Sequence, residues 1–167
     1  DTLATAYALS KGINKIGTYD LIICGKQSID GDTAQVGPSL AEKLGIPNIT
    51  CVRKIVEITN GRIRCERLTD DGCEVVEMTL PGLISVVRGI NEPRLPSLKG
   101  IVKAKKIEIP IWNANDVNAD INLCGFCGSP TQVLESFIPE RKVNGRMIYG
   151  SPEEQASVPV EEIMRFL

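Results

Sequence analysis

The segment from Leu21 to Pro38 restricts the fold more than any other part of this 167-residue chain. Its first four residues are apolar and stand between an aspartate and a glycine, which is the pattern of a short buried strand in a parallel sheet. The residues after Gln35 have the periodicity of an amphipathic helix, which is predicted to end at Gly45. Because Pro38 has no backbone N–H, it fits only the first turn of that helix. The sequence therefore predicts a strand, an open loop and a helix in direct succession.

The loop between this strand and helix has features of an anion site. Its backbone N–H groups are expected to be free at a helix N-terminus, where the helix dipole adds about half a positive charge. Gly31 and Gly37 would let a phosphate approach the backbone, and Lys26 can neutralise charge. Asp30 and Asp32 would repel a phosphate, so they are expected to hold loop amides or to accept from ribose hydroxyls. An ordinary connection with turn-forming residues fits the pattern equally well, and the spacing matches neither a P-loop nor G-x-G-x-x-G.

Further helices and strands are predicted from periodicity and turn residues. They are a helix over 1–17, strands over 49–58, 62–68, 73–80 and 83–87, a helix from Ser97 to Lys106, and a helix from Glu153 to Leu167 interrupted at Pro159. The first helix is expected to pack through one apolar face formed by Leu3, Ala6, Leu9, Ile13 and Ile16. The strands before residue 81 are expected to form an antiparallel meander, because Asn60-Gly61 is a strong hairpin signal. Cys65 and Cys73 flank the second turn of that meander, but a disulfide between them is not expected.

Composition argues against several classes of function. The net charge is −2 and no basic cluster is long, so nucleic acid is not an expected partner. No apolar run approaches the roughly 20 residues of a membrane span, and no signal peptide is visible. Histidine is absent, which removes the commonest general base and the commonest zinc ligand. The six cysteines follow no secreted disulfide framework, so a reducing cytoplasm is expected.

The pair Cys124 and Cys127 forms a single C-x-x-C motif. Zinc would need two more ligands, and the other cysteines lie on predicted strands, so no metal site is expected. A catalytic dithiol would need a helix after the first cysteine to lower a thiol pKa, and the following Gly-Ser-Pro-Thr does not supply one. Two structural cysteines are therefore expected. A thiol oxidoreductase is the alternative function that depends on this pair alone.

Several blocks of sequence carry a resemblance to a known family. They are Gly-Lys-Gln-Ser-Ile-Asp-Gly-Asp-Thr-Ala-Gln-Val-Gly-Pro from residue 25, Gly-Ile-Asn-Glu-Pro-Arg from residue 89, Leu-Lys-Gly-Ile-Val-Lys-Ala-Lys-Lys from residue 98 and Gly-Ser-Pro-Thr-Gln-Val from residue 128. Together they closely resemble the beta subunit of electron-transferring flavoproteins, over nearly the whole chain. Members of that family carry about ninety more N-terminal residues, which include the first strands of the nucleotide-binding fold, so a fragment is expected.

The resemblance implies an α/β fold, a Rossmann-like parallel sheet of the adenine nucleotide alpha hydrolase-like type with an antiparallel meander and a C-terminal extended arm. Residues 1–112 would form the nucleotide-binding domain, with FAD, or alternatively AMP, as the bound cofactor. Residues 113–167 would form the arm and pack on the partner alpha subunit, which carries its own FAD. The cofactor-binding residues implied by the resemblance are Cys24, Gly25, Lys26, Gln27, Ser28, Asp30, Gly31, Asp32, Thr33, Gln35, Val36 and Gly37.

The resemblance also places Leu98 and Lys103 in a recognition loop that docks into acyl-CoA dehydrogenase-type flavoenzymes. The alternative is a solvated lysine-rich helix with Leu98 packed inward. Prolines 93 and 96 precede this helix, and they prevent regular helix or central strand in that stretch.

Electron transfer by an alpha–beta heterodimer is the function that the resemblance implies, with no catalytic acid, base or nucleophile in this chain. The sequence of the loop resembles members that bind a second FAD and split electron pairs from NADH between two acceptors, a process called electron bifurcation. The protein would be a bacterial cytoplasmic electron carrier rather than a conventional enzyme, or a mitochondrial matrix protein if eukaryotic. A nucleotide-binding or nucleotide-hydrolysing enzyme or sensor of the same α/β fold is the alternative, since a fold does not fix a function. The loop lacks a P-loop-type pair to hold Mg²⁺ and a γ-phosphate, which argues against hydrolysis.

Overall fold

The computed structural model describes residues 1–139, 145 and 147–165. The chain divides into two compact units, Asp1–Gln132 and Val133–Leu167. The first unit contains α1 (Thr2–Ile16), β1 (Leu21–Gly25), α2 (Val36–Leu44), β2 (Asn48–Thr59), β3 (Arg62–Thr69), β4 (Gly72–Thr79), β5 (Gly82–Val86), α3 (Leu98–Ala104) and a short 3₁₀ turn (Ile121–Leu123). The second unit contains α4 (Pro152–Met164). The predicted α/β class is confirmed, and the predicted helices and strands are present with small shifts of their ends.

The five strands form one mixed sheet in the order β1-β5-β2-β3-β4. Strand β5 lies between β1 and β2 and is parallel to both. Strands β2, β3 and β4 pair antiparallel in chain order, as the hairpin signals predict. Leu83 and Ile84 of β5 are fully buried, which agrees with the continuous apolar run expected of a strand covered on both faces.

Two apolar clusters cover the two faces of the sheet. On one face, Ala6 of α1 and Leu40 and Ala41 of α2 pack against Leu83 of β5. The cluster on the other face consists of Ile49, Val52, Ile63, Cys65, Met78 and Ile84. Leu83 and Ile84 belong to different clusters because successive side chains of a strand point to opposite faces. The core therefore depends on β5 on both sides of the sheet.

The ends of the first two helices are set by local signals in the sequence. The Asp1 side chain accepts a hydrogen bond from the backbone N–H of Ala4 and caps α1. Gly17 follows α1 with φ 100°, and Gly45 ends α2 in the left-handed region with φ 66°. Both glycines hold conformations that cost an L-residue free energy, which explains why the helices stop there.

The apolar face predicted for α1 is wrong in part. Ala6 and Ser10 are buried, whereas Leu3, Leu9 and Ile16 are 44%, 45% and 68% exposed. The buried face is thus built from small side chains. Small side chains at a contact let a helix approach its neighbours closely, and this close packing against α2 decides which face of α1 is buried.

Strand β1 is less buried than its four apolar residues predict. Within the described residues it pairs with β5 alone, along one edge. Ile22 packs on the helix side of the sheet, but Ile23 on the opposite side is 59% exposed. An apolar run indicates that both faces can be covered, but it does not identify what covers them.

Helix α4 runs without a break from Pro152 to Met164 and includes Pro159, so the predicted interruption is wrong. Its start has a capping box, in which Ser151 and Glu154 each accept a hydrogen bond from the other's backbone N–H. A proline inside a helix removes one backbone donor, and this well-capped helix accommodates that loss. The predicted end at Leu167 lies outside the described residues.

Four ion pairs join neighbouring strands of the meander, and all involve side chains that are partly exposed to solvent. They are Arg53–Glu66, Arg62–Glu77, Arg64–Glu57 and Arg67–Glu74. Pairs of this kind contribute about 0–1 kcal/mol each to stability. The arginines of β3 thus lie between glutamates of β2 and β4.

Cys65 and Cys73 are both free thiols, as expected. Cys65 lies opposite Val76 in the pairing of β3 with β4, whereas Cys73 lies opposite Leu68. The two cysteines are therefore offset along the strands and do not face each other.

We predict that Leu40→Ala lowers the free energy of unfolding by about 2–5 kcal/mol, because it leaves a cavity between α1, α2 and the sheet. Leu40 is only 3% exposed. Leu95→Ala is the matched control, since Leu95 is 94% exposed. Chemical denaturation of both variants measures the difference, and equal stability of the two variants would contradict the packing described here.

Candidate functional site

The candidate site lies where β1 and β5 end side by side. The two strands are parallel, so their carboxyl ends meet at one edge of the sheet, which is where open α/β sheets bind ligands. The backbone N–H of Lys26 donates to the carbonyl of Val86 at 2.9 Å and holds the chain beside β5 just after β1 ends. The chain then turns, with the N–H of Asp32 donating to the carbonyl of Ser28 at 3.1 Å, and enters α2 at Val36.

The backbone of this loop is held in a costly conformation. Asp32 and Ala34 have φ values of 52° and 55°, in the left-handed region that non-glycine residues rarely adopt. Each such residue costs about 1–2 kcal/mol relative to a relaxed backbone. Nothing in the sequence of the loop indicates this strain. Strained backbone of this kind concentrates at functional sites.

The two aspartates of the loop hold the loop itself. The Asp30 carboxylate accepts hydrogen bonds from the Ser28 hydroxyl and from the backbone N–H of Gly31, and these bonds lower the pKa of Asp30. The Asp32 carboxylate accepts a hydrogen bond from the side-chain amide of Gln27. Their negative charges are therefore engaged within the loop, as the sequence predicts for Asp30.

The backbone N–H groups of Thr33, Ala34 and Gln35 donate to no acceptor among the described residues. They immediately precede α2, which has nine residues and begins without a side-chain cap. The positive end of the helix dipole and these free donors therefore act at the same place. Neutral amides with a nearby Lys26 ammonium suit a phosphate group, which binds at helix N-termini in this way.

Two cavities open beside the loop. The first, of about 350 Å³, is lined by Thr2, Cys24, Gly25, Lys26, Gln27, Ser28, Thr33, Ala34, Gln35, Val36 and Gly37. The second, of about 500 Å³, is lined by Asp1, Thr2, Thr5, Ser28, Asp30, Gly31, Thr33, Gln35, Val36 and Thr131. Ligand pockets typically occupy about 300–1,000 Å³, so each is large enough for part of a nucleotide.

Every residue predicted to bind a cofactor, except Asp32, lines one of these two cavities. The structure therefore brings the predicted residues together, and their binding of a nucleotide stays a prediction. Sequence reasoning missed Thr2, Thr5 and Thr131, which add hydroxyl groups to the walls. The Thr2 hydroxyl also donates to the Gln35 side-chain carbonyl at 3.1 Å. Only the packing of α1 beside the loop reveals this contact, and no local motif signals it.

The two glycines that were predicted to admit a phosphate have different surroundings. A Cβ atom on Gly31 would meet only the Ser28 hydroxyl, at 3.6 Å, so this side of the loop is open. A Cβ atom on Gly37 would lie 3.1 Å from the Cys24 sulfur and 3.5 Å from Cβ of Ser85. Gly37 therefore lets the first turn of α2 pack closely on β1 and β5. This packing role was not predicted.

Burial raises the pKa of the Cys24 thiol, which lies at the end of β1. The thiol is half-buried and donates weakly to the carbonyl of Ile84 at 3.6 Å. Cys24 thus contributes an uncharged wall to the first cavity near neutral pH, which does not repel a phosphate.

A separate groove of about 450 Å³ lies along α3 and is lined by Leu98, Lys99, Val102, Lys103 and Lys106. The helix is capped by Ser97, whose hydroxyl accepts from the N–H of Gly100 at 3.1 Å, as predicted. Leu98 is 83% exposed, so the alternative with Leu98 packed inward is wrong. The groove brings Leu98 and Lys103 together, and docking of a partner there stays a prediction.

Within the part of the chain that the structure describes, no group of three or more Cys, Asp or Glu side chains is arranged to hold a metal ion. No helix within the same residues is long and apolar enough to cross a membrane.

Comparison with protein families matches residues 1–117 to the electron transfer flavoprotein domain. The chain belongs to the electron transfer flavoprotein family. The resemblance given by the four sequence blocks is thereby confirmed.

Curated relatives of this electron transfer flavoprotein chain include two beta subunits. The electron transfer flavoprotein subunit beta of Thermoanaerobacterium thermosaccharolyticum is 45% identical over 98% of this chain and 62% of the relative. That of Megasphaera elsdenii is 40% identical over 100% of this chain and 63% of the relative. The caffeyl-CoA reductase-Etf complex subunit CarD of Acetobacterium woodii is 43% identical over 90% of this chain and 57% of the relative. The chain thus spans about three fifths of the length of the curated relatives it matches.

We predict that Ser28→Ala raises the pKa of Asp30 toward its ordinary value, because the Ser28 hydroxyl is the largest cause of the lowered value. Because the pKa of Asp30 is lower in the folded loop than in the unfolded chain, the charged carboxylate stabilises the folded state at pH values above the unfolded-state pKa. This stabilisation is lost as the pH falls through the pKa of the folded state. Titration of the Asp30 carboxyl by NMR measures the shift. Ser39→Ala, on α2, is the control and leaves the pKa of Asp30 unchanged. A titration of Asp30 that is identical in wild type and Ser28→Ala would refute the assigned cause.

Proposed function

We propose that this chain is the nucleotide-binding part of an electron transfer flavoprotein beta subunit. With an alpha subunit that carries FAD, it would transfer electrons between flavin-dependent dehydrogenases and their acceptors. The observation that carries the proposal is the site between β1 and α2, where free amides, Lys26 and a helix N-terminus border two adjoining cavities. Membership of the electron transfer flavoprotein family supports the same function.

The residues of the loop would hold the nucleotide by its charged and hydroxyl groups. The free N–H groups of Thr33 and Ala34 would donate to a phosphate, and Lys26 would neutralise part of its charge. The Asp30 carboxylate already accepts from Ser28 and Gly31, and its remaining lone pairs can accept from a ribose hydroxyl. A bound flavin would supply the redox chemistry, and the side chains of this chain would orient it and exclude water.

We favour FAD over AMP as the nucleotide of this site. FAD continues as a diphosphate where AMP ends, so its site must extend beyond one phosphate position. The second cavity provides such an extension, since it shares Ser28, Thr33 and Gln35 with the first. The open space at Gly31 lies along this second cavity. If FAD occupies this site, the heterodimer holds two FAD molecules and would bifurcate electrons from NADH. The alternative is one FAD on the alpha subunit and AMP at this site.

The exposed groove on α3 would dock the partner dehydrogenase, an enzyme of the acyl-CoA dehydrogenase type. Leu98 is a large apolar side chain that protrudes beside Lys103 and two further lysines. An apolar anchor surrounded by charge is typical of a docking site, in which the anchor supplies affinity and the charges supply orientation.

Residues 113–167 would pack on the alpha subunit. Large apolar side chains are exposed along this stretch, including Phe126, Leu134, Phe137 and Ile138 at 84%, 98%, 77% and 94%. A chain with so many exposed apolar groups needs a partner surface to cover them. We place the heterodimer in the cytoplasm, which the six free thiols support.

The test of the proposed function uses the complete protein copurified with its alpha subunit. Acid extraction and chromatography then identify the nucleotides released from the heterodimer. Two FAD per heterodimer support the bifurcating form, and one FAD with one AMP overturns it. Recovery of FAD from the alpha subunit with no second adenine nucleotide would overturn nucleotide binding by this chain.

We predict that Gly31→Asp lowers occupancy of the second nucleotide about tenfold or more, which corresponds to about 1.4 kcal/mol in binding free energy. The variant adds bulk and a negative charge where the loop is open. Gly12→Asp introduces the same change inside α1, where nothing lies near the added Cβ, and serves as the control. The alpha-subunit FAD is retained in both variants. Equal loss of the second nucleotide in the two variants would show that Gly31 is not part of the binding site.

We predict that Leu98→Ala weakens the apparent affinity for the partner dehydrogenase about tenfold or more, since burying a leucine is worth about 1.5–3 kcal/mol. Leu95→Ala is the matched control, because Leu95 is a leucine three positions earlier that is exposed to a similar degree, 94% against 83% for Leu98. Titration of the heterodimer with the dehydrogenase measures both, and nucleotide content is unchanged in both. The docking role is refuted if Leu98→Ala titrates like wild type.

A further inference from the structure

Cys124 and Cys127 lie on one tight turn. Cys124 follows the 3₁₀ turn with an extended backbone, φ −109° and ψ 151°. The backbone N–H of Gly128 donates to the carbonyl of Cys124 at 3.2 Å and closes a turn over residues 124–128 that contains both cysteines. Gly125 holds φ 54°, and a Cβ atom on Gly128 would overlap the backbone of Leu123. Gly125 and Gly128 are therefore both required by the shape of the turn.

Both cysteines belong to this turn and stand three positions apart in it. Chain turns bring residues at this spacing close together, and in β-turns their Cα atoms lie within about 7 Å. Disulfides join cysteines whose Cα atoms are about 4.4–6.8 Å apart, so the turn can accept the bond with little movement of the backbone. Only two residues separate the cysteines, so each thiol is held at high effective concentration beside the other.

The two thiols differ in their surroundings. Cys127 is exposed, whereas Cys124 is half-buried and donates from its sulfur to the carbonyl of Asp120 at 3.4 Å. The other four cysteines lie on strands of the sheet, and Cys65 and Cys73 are offset in their pairing. Cys124 and Cys127 are thus the pair that the described turn places together.

We propose that Cys124 and Cys127 are a reversible redox site that exchanges with small soluble disulfides. The Cys127 thiolate attacks one sulfur of the small disulfide, whose S–S bond breaks and releases one thiol. The Cys124 thiol then gives its proton to solvent and attacks the sulfur of Cys127, which releases the second thiol. The protein dithiol loses two electrons and two protons in forming the disulfide, and the small disulfide is reduced to two thiols. Neither cysteine lines the nucleotide cavities, and the exchange uses none of the residues proposed to bind the nucleotide.

Oxidation has a structural consequence at Asp120. Once its sulfur is bonded to Cys127, Cys124 has no hydrogen to donate to the carbonyl of Asp120. Asp120 is the residue that ties this segment to α1, because its backbone N–H donates to the Tyr7 hydroxyl at 2.8 Å. The carbonyl of Asp120 also accepts from the N–H of Leu123 at 3.0 Å. The disulfide therefore loosens the 3₁₀ turn where it is anchored on α1.

The test incubates the full-length protein in buffers with increasing ratios of oxidised to reduced glutathione, followed by alkylation of free thiols and peptide mass analysis. We expect loss of two hydrogen masses from the peptide that contains both cysteines, reversed by reduced glutathione. Cys124→Ser should retain a glutathione adduct on Cys127, because the resolving thiol is gone. Cys127→Ser should form a glutathione adduct on Cys124 at least about tenfold more slowly, because this remaining thiol is half-buried.

Cys73→Ser is the matched control, since Cys73 is also exposed but lies opposite Leu68 rather than a cysteine, and it leaves the disulfide unchanged. Hydrogen exchange then compares oxidised and reduced wild type. Faster exchange at the amides of Asp120 and Leu123 in the oxidised form supports the loosening of the 3₁₀ turn. Glutathione adducts on Cys73 and Cys127 alike, with no loss of two hydrogens, would overturn the site. A disulfide that forms without any change in hydrogen exchange at Asp120 and Leu123 would contradict the proposed loosening of the 3₁₀ turn.

Discussion

Strand β5 is the element on which the rest of the structure depends. It hydrogen-bonds to β1 on one side and to β2 on the other, so it joins the parallel part of the sheet to the meander. It also supplies Leu83 to the cluster under the helices and Ile84 to the cluster on the opposite face. The hydrogen bond from Lys26 to the carbonyl of Val86 extends this pairing into the loop. The geometry of the candidate site is therefore set by the position at which β5 ends.

The loop beyond that point has two properties that point to a ligand. Two non-glycine residues, Asp32 and Ala34, hold left-handed backbone, and the amides before α2 have no acceptor within the described residues. The left-handed backbone costs free energy, and such strain is typical of functional sites. The free amides are accessible to solvent and therefore also accessible to a phosphate. Close packing of Gly37 on Cys24 and Ser85 keeps α2 from moving to relieve the strain.

The sequence predicts local structure well because the signals are local. Asn60-Gly61, Gly17, Gly45 and Ser97 mark their turns and helix ends with residues whose backbone or side-chain chemistry requires them there. Residues of the loop between β1 and α2 are contiguous, so one continuous stretch predicts most of the cavity walls.

Contacts between distant segments were not predictable in the same way. Thr2 and Thr131 reach the second cavity from opposite ends of the first unit, and no spacing in the sequence indicates it. The face predicted for α1 is right for Ala6 and Ile13, which pack in the cluster under the helices, and wrong for the exposed Leu3, Leu9 and Ile16. Close packing on α2 favours small side chains such as Ala6 and Ser10, and apolar periodicity does not reveal this. Pro159 predicts a break in the helix because it lacks a backbone donor, but α4 continues past this one missing hydrogen bond.

The charge pattern of the meander bears on self-association. Strand β4 lies at the end of the strand order and carries two exposed glutamates, Glu74 and Glu77, on either side of Val75 and Val76. An edge strand with two adjacent valines is a template for pairing with another copy of itself. A symmetric antiparallel pairing of two copies, centred between the valines, would set Glu74 of each copy opposite Glu77 of the other. Because like charges directly opposite destabilise a strand pair, the same glutamates that bind the arginines of β3 discourage growth of the sheet into fibres.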